Sequence, residues 1–226
     1  MIRDLAISLI LNRTGQRGGT VSPLDTVLQA QAITEMQWAQ EELEKQDSGL
    51  MPWFLETEYT NGAFATAAAA ASVALPTGFL REMDEVRVAL FYQDTTISGD
   101  QWVPLTKADY DELKTEFGDA ANGKPEGYCL LGANYRMFPT PDAAYPLKAL
   151  LYMGDALLTS NIENNWLKYA GKVLIGKTGF AVAGWGVRDE AATAFFAKME
   201  TEGRDALIRA NTARAEAGRG RQQGED

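Results

Sequence analysis

Residues 171–178 read GKVLIGKT, which satisfies the formal spacing G-x-x-x-x-G-K-[ST] of a phosphate-cradling loop. In that chemistry the loop's backbone amides hold a nucleotide's phosphates, Lys177 reaches the outer phosphates and Thr178 binds magnesium. The surrounding residues argue against it. Such a loop follows a strand, whereas Gly171 follows NIENNWLKYA, which reads as helix. Val173, Leu174 and Ile175 occupy positions that should lie open to phosphate, and the glycine-rich GFAVAGWG follows where a helix N-terminus is needed. A nucleotide-binding enzyme using Gly171–Thr178 stands as the alternative reading from another functional class.

The remaining candidates for chemistry are few. The chain has no histidine, which removes the commonest general base and the commonest metal ligand. A serine or cysteine triad of the usual kind and a histidine-ligated zinc site are thereby excluded. Carboxylates could hold magnesium or form an acid/base pair at Glu41-Glu42-Glu44, Asp109-Asp111-Glu112 or Glu200-Glu202. All three clusters fall beside lysines on predicted helix surfaces, so they read as solvated faces. Cys129, the single cysteine, sits between Tyr128 and Leu130 in a predicted strand and reads as a small core residue. It allows no internal disulfide and fits a reducing compartment. No catalytic residue, metal ligand or cofactor site is assigned.

The elements that would position these residues divide into helical ends and a strand-rich middle. Ile2, Leu5, Ala6, Leu9 and Ile10 recur at helical spacing over 2–14, ended by Gly15 and Gly18-Gly19. A second helix over 22–47 starts with Ser22 as cap, Pro23 in the first turn and Asp25 near the positive dipole end. Its apolar side runs Leu24, Val27, Leu28, Ala32, Met36, Ala39 and Leu43, and Ser48-Gly49 closes it. From about 53 to 153 the pattern alternates: Leu55, Thr57 and Tyr59 share a face, as do Val86, Val88, Leu90 and Tyr92. The alanine-rich run from 63 is ambiguous between helix and strand. A short helix interrupts the strands, with Thr106 as cap and Tyr110, Leu113 and Phe117 as its stripe. Residues 133–153 supply two strands around a proline-aspartate turn.

Helices return over 160–202, the last with Ala192, Phe195, Phe196, Met199 and Leu207 facing inward. The expected fold class is therefore α+β, a helical bundle from both chain ends with a small, mostly antiparallel β region (about 53–153) and an extended C-terminal arm. The apolar stretch at 63–80 is interrupted by Pro76 and Gly78 and is no membrane span. The N-terminus carries Asp4 and no small-residue cleavage site, so it reads as an amphipathic helix and not as a signal peptide.

Charge is unevenly spread. The net charge is −10, which argues against general binding to nucleic acid. Yet Arg204, Arg209, Arg214, Arg219 and Arg221 face only Asp205 and Glu216 between 203 and 221, a local +3 on an otherwise acidic body. A step of five residues winds these arginines around a helix axis, and beyond Ile208 the only apolar side chains are alanines. Residues 203–226 thus read either as a free tail or as an arm ordered by an acidic partner.

Four segments together, ALPTGFLREMDEVRV, WVPLTKADYDEL, GYCLLGANYRMFPTPDAAYPLKALLYM and NIENNWLKYAGKVLIG, resemble the head-to-tail adaptor (connector) proteins of tailed bacteriophages. They are similar in particular to the tail accessory factor of short-tailed phages. The resemblance covers roughly residues 74–200 and rests on the order and spacing of the segments. The alanine-rich run and GKTGFAVAGWG depart from the pattern.

The resemblance implies a virion protein and no enzyme. It implies a homo-oligomeric ring of about twelve copies that binds the portal protein, extends the DNA exit channel and provides the docking site for a tail or nozzle protein. Viral DNA would pass through the lumen without sequence-specific binding, between acidic walls that repel phosphate. No membrane is involved, and assembly would take place in the host cytoplasm. Another head or tail completion protein is a neighbouring alternative. On this reading residues 1–202 form the adaptor domain and 203–226 the arm. Arg204, Arg209, Arg214, Arg219 and Arg221 would grip the portal, and Tyr135, Phe138, Tyr145 and Tyr152 would meet neighbouring subunits.

Overall fold

A computed structural model describes residues 1–15, 23–45, 50, 52–83, 88–94, 101–118 and 122–222. Ser22, Ser48, Gly49 and Val86, together with Gly18-Gly19, lie outside the described residues, as do the side chains of Leu24, Asp25, Arg219 and Arg221. The α+β class holds, but the chain divides into two units where one domain was expected over 1–202. One unit comprises Met1–Phe54 and Asp155–Asp226, the other Leu55–Gly154.

The helical unit starts with α1 (Arg3–Arg13) and α2 (Pro23–Glu44). Helix α1 buries Ala6, Ile7 and Ile10, and Gly15 ends it with φ +75°. Leu5 and Leu9, which share the helical spacing, are exposed, as is Ile2. The chain is apolar on two sides of this helix, and only one side is used. In α2 the stripe Ala32, Met36, Ala39 and Leu43 is buried as expected, while Val27 is exposed.

The second unit contains eleven strands and one helix among the described residues. They are β1 (Glu56–Ala65), β2 (Ser72–Ala74), β3 (Phe79–Glu82), β4 (Leu90–Asp94), β5 (Gln101–Pro104), β6 (Thr106–Lys107), α3 (Tyr110–Phe117), β7 (Asn122–Gly123), β8 (Gly127–Leu131), β9 (Asn134–Phe138), β10 (Thr140–Pro141) and β11 (Pro146–Met153). One sheet runs β1-β11-β4-β5 with β3 also on β11, all antiparallel. Another runs β2-β9-β8-β6, with β6 parallel to β8, and β10 pairs with β7 in parallel.

The two longer strands of residues 133–153 therefore join different sheets. β9 lies between β2 and β8, and β11 lies between β1 and the β3/β4 side. The alternation that makes each a strand says nothing about its partner. Phe64, Leu90, Tyr92, Leu147, Ala149 and Leu151 meet Val73, Tyr128, Tyr135 and Met137 in one core. Glu82 of β3, buried in the same unit, is neutralised by the Lys107 ammonium of β6 at 2.5 Å, which links the two sheets.

Three local expectations change. Thr106 does not cap α3; it pairs in parallel with Gly127, and Asp109 occupies the cap position. Only Leu113 of the α3 stripe is fully buried, Tyr110 and Phe117 being half-buried. The alanine run is neither helix nor one strand. It completes β1, turns through Ala67–Ala70 with Ala69 at φ +62°, and enters β2. Thr66 anchors the turn: its hydroxyl donates to the Ala143 carbonyl (2.9 Å) and accepts from the Tyr145 amide (2.8 Å).

The chain returns to the helical unit through α4 (Asn165–Tyr169), α5 (Gly171–Ala181), a π-helical segment (Val182–Val187) and α6 (Glu190–Gln222). Asn164 caps α4 by accepting from the Leu167 amide at 3.0 Å, and Asp155 accepts from the Asn165 and Trp166 amides. Glu44 at the end of α2 is buried against this turn. It accepts from the Trp166 indole at 2.7 Å, from Gln40 at 3.0 Å and from the Asp155 amide at 3.2 Å. This corrects the expectation of a solvated Glu41-Glu42-Glu44 face for its third member.

Burial outweighs these hydrogen bonds and raises the Glu44 carboxyl above the ordinary 4.5, with Asp155 adding to the rise. A carboxyl raised in the folded state contributes stability that is present below 4.5 and lost as pH climbs through its folded value. Glu44→Gln removes that loss. Denaturant titrations from acid to neutral pH should show the wild type losing ground to the variant as pH rises. A difference that stays constant across this range would contradict the assignment.

Candidate interaction surface

GKVLIGKT lies inside α5, so from Val173 onward its amides make helix hydrogen bonds and form no open cradle. Val173, Leu174, Ile175 and Thr178 are buried. The Thr178 hydroxyl donates to the Leu174 carbonyl at 2.8 Å, and the Lys177 ammonium pairs with Glu42 at 2.8 Å, which holds that carboxyl below its ordinary range. The glycines serve helix packing. A Cβ on Gly176 would meet the Glu200 backbone nitrogen at 2.5 Å, one on Gly179 the Phe196 ring at 2.4 Å, and one on Gly203 the Val173 nitrogen at 2.8 Å. Of the motif's own glycines, Gly176 lies at the contact of α5 with α6, whereas a Cβ on Gly171 would meet only a Met1 methyl at 3.7 Å.

The other chemistry-bearing residues are dispersed. Asp109, Asp111 and Glu112 are exposed, Glu200 pairs with Arg204 at 2.8 Å, and Glu202 lies 3.9 Å from Lys198. Among the described residues no group of three His, Cys, Asp or Glu side chains could hold a metal ion. Cys129 is buried with Leu113 and Phe138, and burial pushes its thiol up, away from nucleophilic use.

The arginine segment departs from an extended arm. The backbone of α6 is helical without a break from Glu190 to Gln222, so no boundary falls at 203. Arg214 stacks on the Trp53 ring, its guanidinium carbon 3.9 Å from the centroid, and the Trp53 amide donates to the Asn211 side chain at 3.4 Å. Trp53 in turn joins Phe54, Trp166 and Tyr169 in an aromatic group with centroids 4.7–5.7 Å apart. Helix α6 is therefore tied to its unit as far as Arg214. Arg204 is engaged with Glu200, and Arg209 is exposed.

The four aromatics expected at subunit contacts are spent in the core. Tyr135, Phe138, Tyr145 and Tyr152 are all buried. Tyr135 packs on Phe64, Phe79 and Tyr128; Tyr145 donates to Asp142 at 2.6 Å; Tyr152 lies under Arg81. They have little area left to offer a neighbour.

Exposed apolar surface lies elsewhere. In the helical unit Trp38 is 59% exposed and Trp185 53%, and with Val27, Ala30 and Thr34 of α2 they line a hollow of about 440 Å³. Phe180, also exposed, borders a second hollow that Trp38 shares and whose rim carries Glu41 and Glu42. Half-exposed tryptophans have the large, rigid, amphipathic contact area that anchors protein interfaces. Sequence reading missed them for different reasons. Trp38 sits off the apolar stripe of α2, which was the available signal; Trp185 lies in a segment read as a glycine-rich link. In the other unit Leu130 and Leu131 stand exposed beside the Gly132 turn of the β8–β9 hairpin.

The exposed aromatic surface of the helical unit thus lies on α2, α5 and the π-helical segment. No curated protein matches the chain. The SU10 adaptor protein family matches residues 3–223, nearly its whole length, and the chain belongs to that family, a structural adaptor of a phage.

Proposed function

We propose that this virion adaptor works as a head-to-tail connector, a ring of about twelve copies that binds the portal, extends the DNA exit channel and receives the tail. The observation that carries the reading is the family match from residue 3 to 223, across both units. Exposed tryptophans on rigid helices and the absence of histidine support a role in assembly over one in catalysis. The likeness to the tail accessory factor of short-tailed phages, the subunit number and assembly in the host cytoplasm belong to the same proposal. The acidic body suits a lumen through which DNA slides, because like charge keeps phosphate from adhering. Among the described residues no helix is long and apolar enough to cross a membrane.

The arginine end of α6 is the proposed portal contact, now limited to residues beyond Arg214 together with exposed Arg209. Truncation after Ala217 should leave the melting midpoint unchanged and weaken attachment to purified portal. Truncation after Ile208 also removes Asn211 and Arg214 from Trp53 and should lower the midpoint. A chain cut after Ala217 that attaches as well as the full-length protein would refute the arm. Imaging of the protein with its portal tests the ring itself: a closed annulus is expected, and a protein that stays monomeric with portal present would count against the connector and for another completion protein.

A further inference from the structure

A closed ring needs two different patches on each subunit, one complementary to the other, because a head-to-tail contact never pairs a patch with itself. The helical unit carries two such patches. The concave one is the hollow between Trp38 and Trp185, which runs along α2 from Val27 to Trp38, about 16 Å at the helical rise. The convex one is the free side of α1. Ile2, Leu5 and Leu9, spaced three and four residues apart, are 46%, 52% and 48% exposed and form a ridge about 10 Å long. Exposed Ile162 prolongs it, since its carbonyl accepts from the Arg3 amide at 3.0 Å.

We propose that the Ile2–Leu5–Leu9 ridge of one copy seats in the Trp38–Trp185 hollow of the next, giving the ring its repeating contact. The inference rests on the ring reading above. Lengths agree, in that the ridge is shorter than the hollow that receives it. Chemistry agrees as well, with aliphatic side chains entering an aromatic cleft. Charge is complementary at the rim. Glu35 lines the hollow, where burial and the nearby Glu42 charge raise its carboxyl, and Glu41 stands beside it. Helix α1 ends on exposed Arg13, whose guanidinium carbon lies 4.4 Å from the Phe195 ring centroid, and an exposed guanidinium suits a carboxylate partner.

Two double variants test the contact, each blocking one patch. Trp38→Ala with Trp185→Ala empties the hollow, and Leu5→Asp with Leu9→Asp charges the ridge. All four side chains are exposed, so both proteins should melt as the wild type does. Each alone should remain monomeric by native mass spectrometry under conditions where the wild type assembles, alone or on its portal. Mixed in equal amounts, they should form a one-to-one dimer, because each retains the patch the other lacks. A third double variant, Leu5→Cys with Thr34→Cys, should give ladders of disulfide-linked oligomers on oxidation, with buried Cys129 contributing no background. A ring that still forms from either blocked variant, a mixture that stays monomeric, or an assembled ring without cross-links would overturn the contact and leave the ring standing. If the Trp38/Trp185 variant assembles normally but no longer attaches to portal, the hollow belongs to the portal. A wild type that forms no oligomer under any condition sinks the ring reading first, and the contact with it.

Discussion

Gly176→Ala is expected to destabilise the helical unit by about 2 kcal/mol, although alanine is the better helix former by roughly 1 kcal/mol. The added Cβ would lie 2.5 Å from the nitrogen and 2.8 Å from the Cα of Glu200. Both are backbone atoms of a packed helix and cannot rotate aside, so α5 and α6 must part along their whole contact. At roughly 2–4 °C per kcal/mol for a chain of this size, the melting midpoint should fall by about 4–8 °C. Gly203→Ala meets Val173 from the other helix and should act in the same direction. The double variant should lose less than the sum, because helices already separated accept the second methyl. Gly184→Ala is the control: its nearest neighbour would be a Thr193 atom at 3.9 Å, and no loss is expected. Magnesium nucleotide should leave the wild-type midpoint unmoved. If Gly176→Ala melts with the wild type, the packing role of these glycines is wrong.

The second large effect concerns Trp166, which is fully buried under Phe54 and holds Glu44. Trp166→Ala removes the largest buried side chain of the unit and leaves a cavity, a loss of about 4 kcal/mol. Trp166→Phe is more informative. Phenylalanine keeps an edge-on ring against Phe54 but takes the indole donor from a buried carboxylate, which should cost about 2 kcal/mol. In a Glu44→Gln background the same change should cost less, since no charge is then left short of a donor. Equal costs in the two backgrounds, measured by denaturant unfolding, would show that Trp166 acts by packing alone.

Much of the fold was legible because helices and strands leave periodic marks. The stripe Ala32–Met36–Ala39–Leu43 and the alternation Leu147–Ala149–Leu151 both became buried faces, and Asn164, the first of the two asparagines before Trp166, became a cap. The interaction surface was harder to read. Periodicity shows that a face is apolar without saying whether a partner within the chain covers it, so the helical spacing of Leu5 and Leu9 gives no sign that both stay exposed. A strand pattern likewise leaves open whether Tyr135 and Tyr152 face the core or a neighbouring subunit. Burial on both sides came from sheet partners distant in sequence, such as Val73 beside Tyr135 and Arg81 beside Tyr152.

By itself the sequence determined the α+β class, the helical ends around a strand-rich middle, the acidic body with its arginine-rich end and the exclusion of histidine chemistry. Each is a property of residue types at short spacing, where local propensity and charge decide. Only the tertiary structure decided what GKVLIGKT is for, which aromatics remain outside the core, and where β9 and β11 find their partners. Those outcomes depend on which distant segments arrive against a residue. A glycine spaced for phosphate and a glycine spaced for a helix crossing look alike until α6 is placed beside α5.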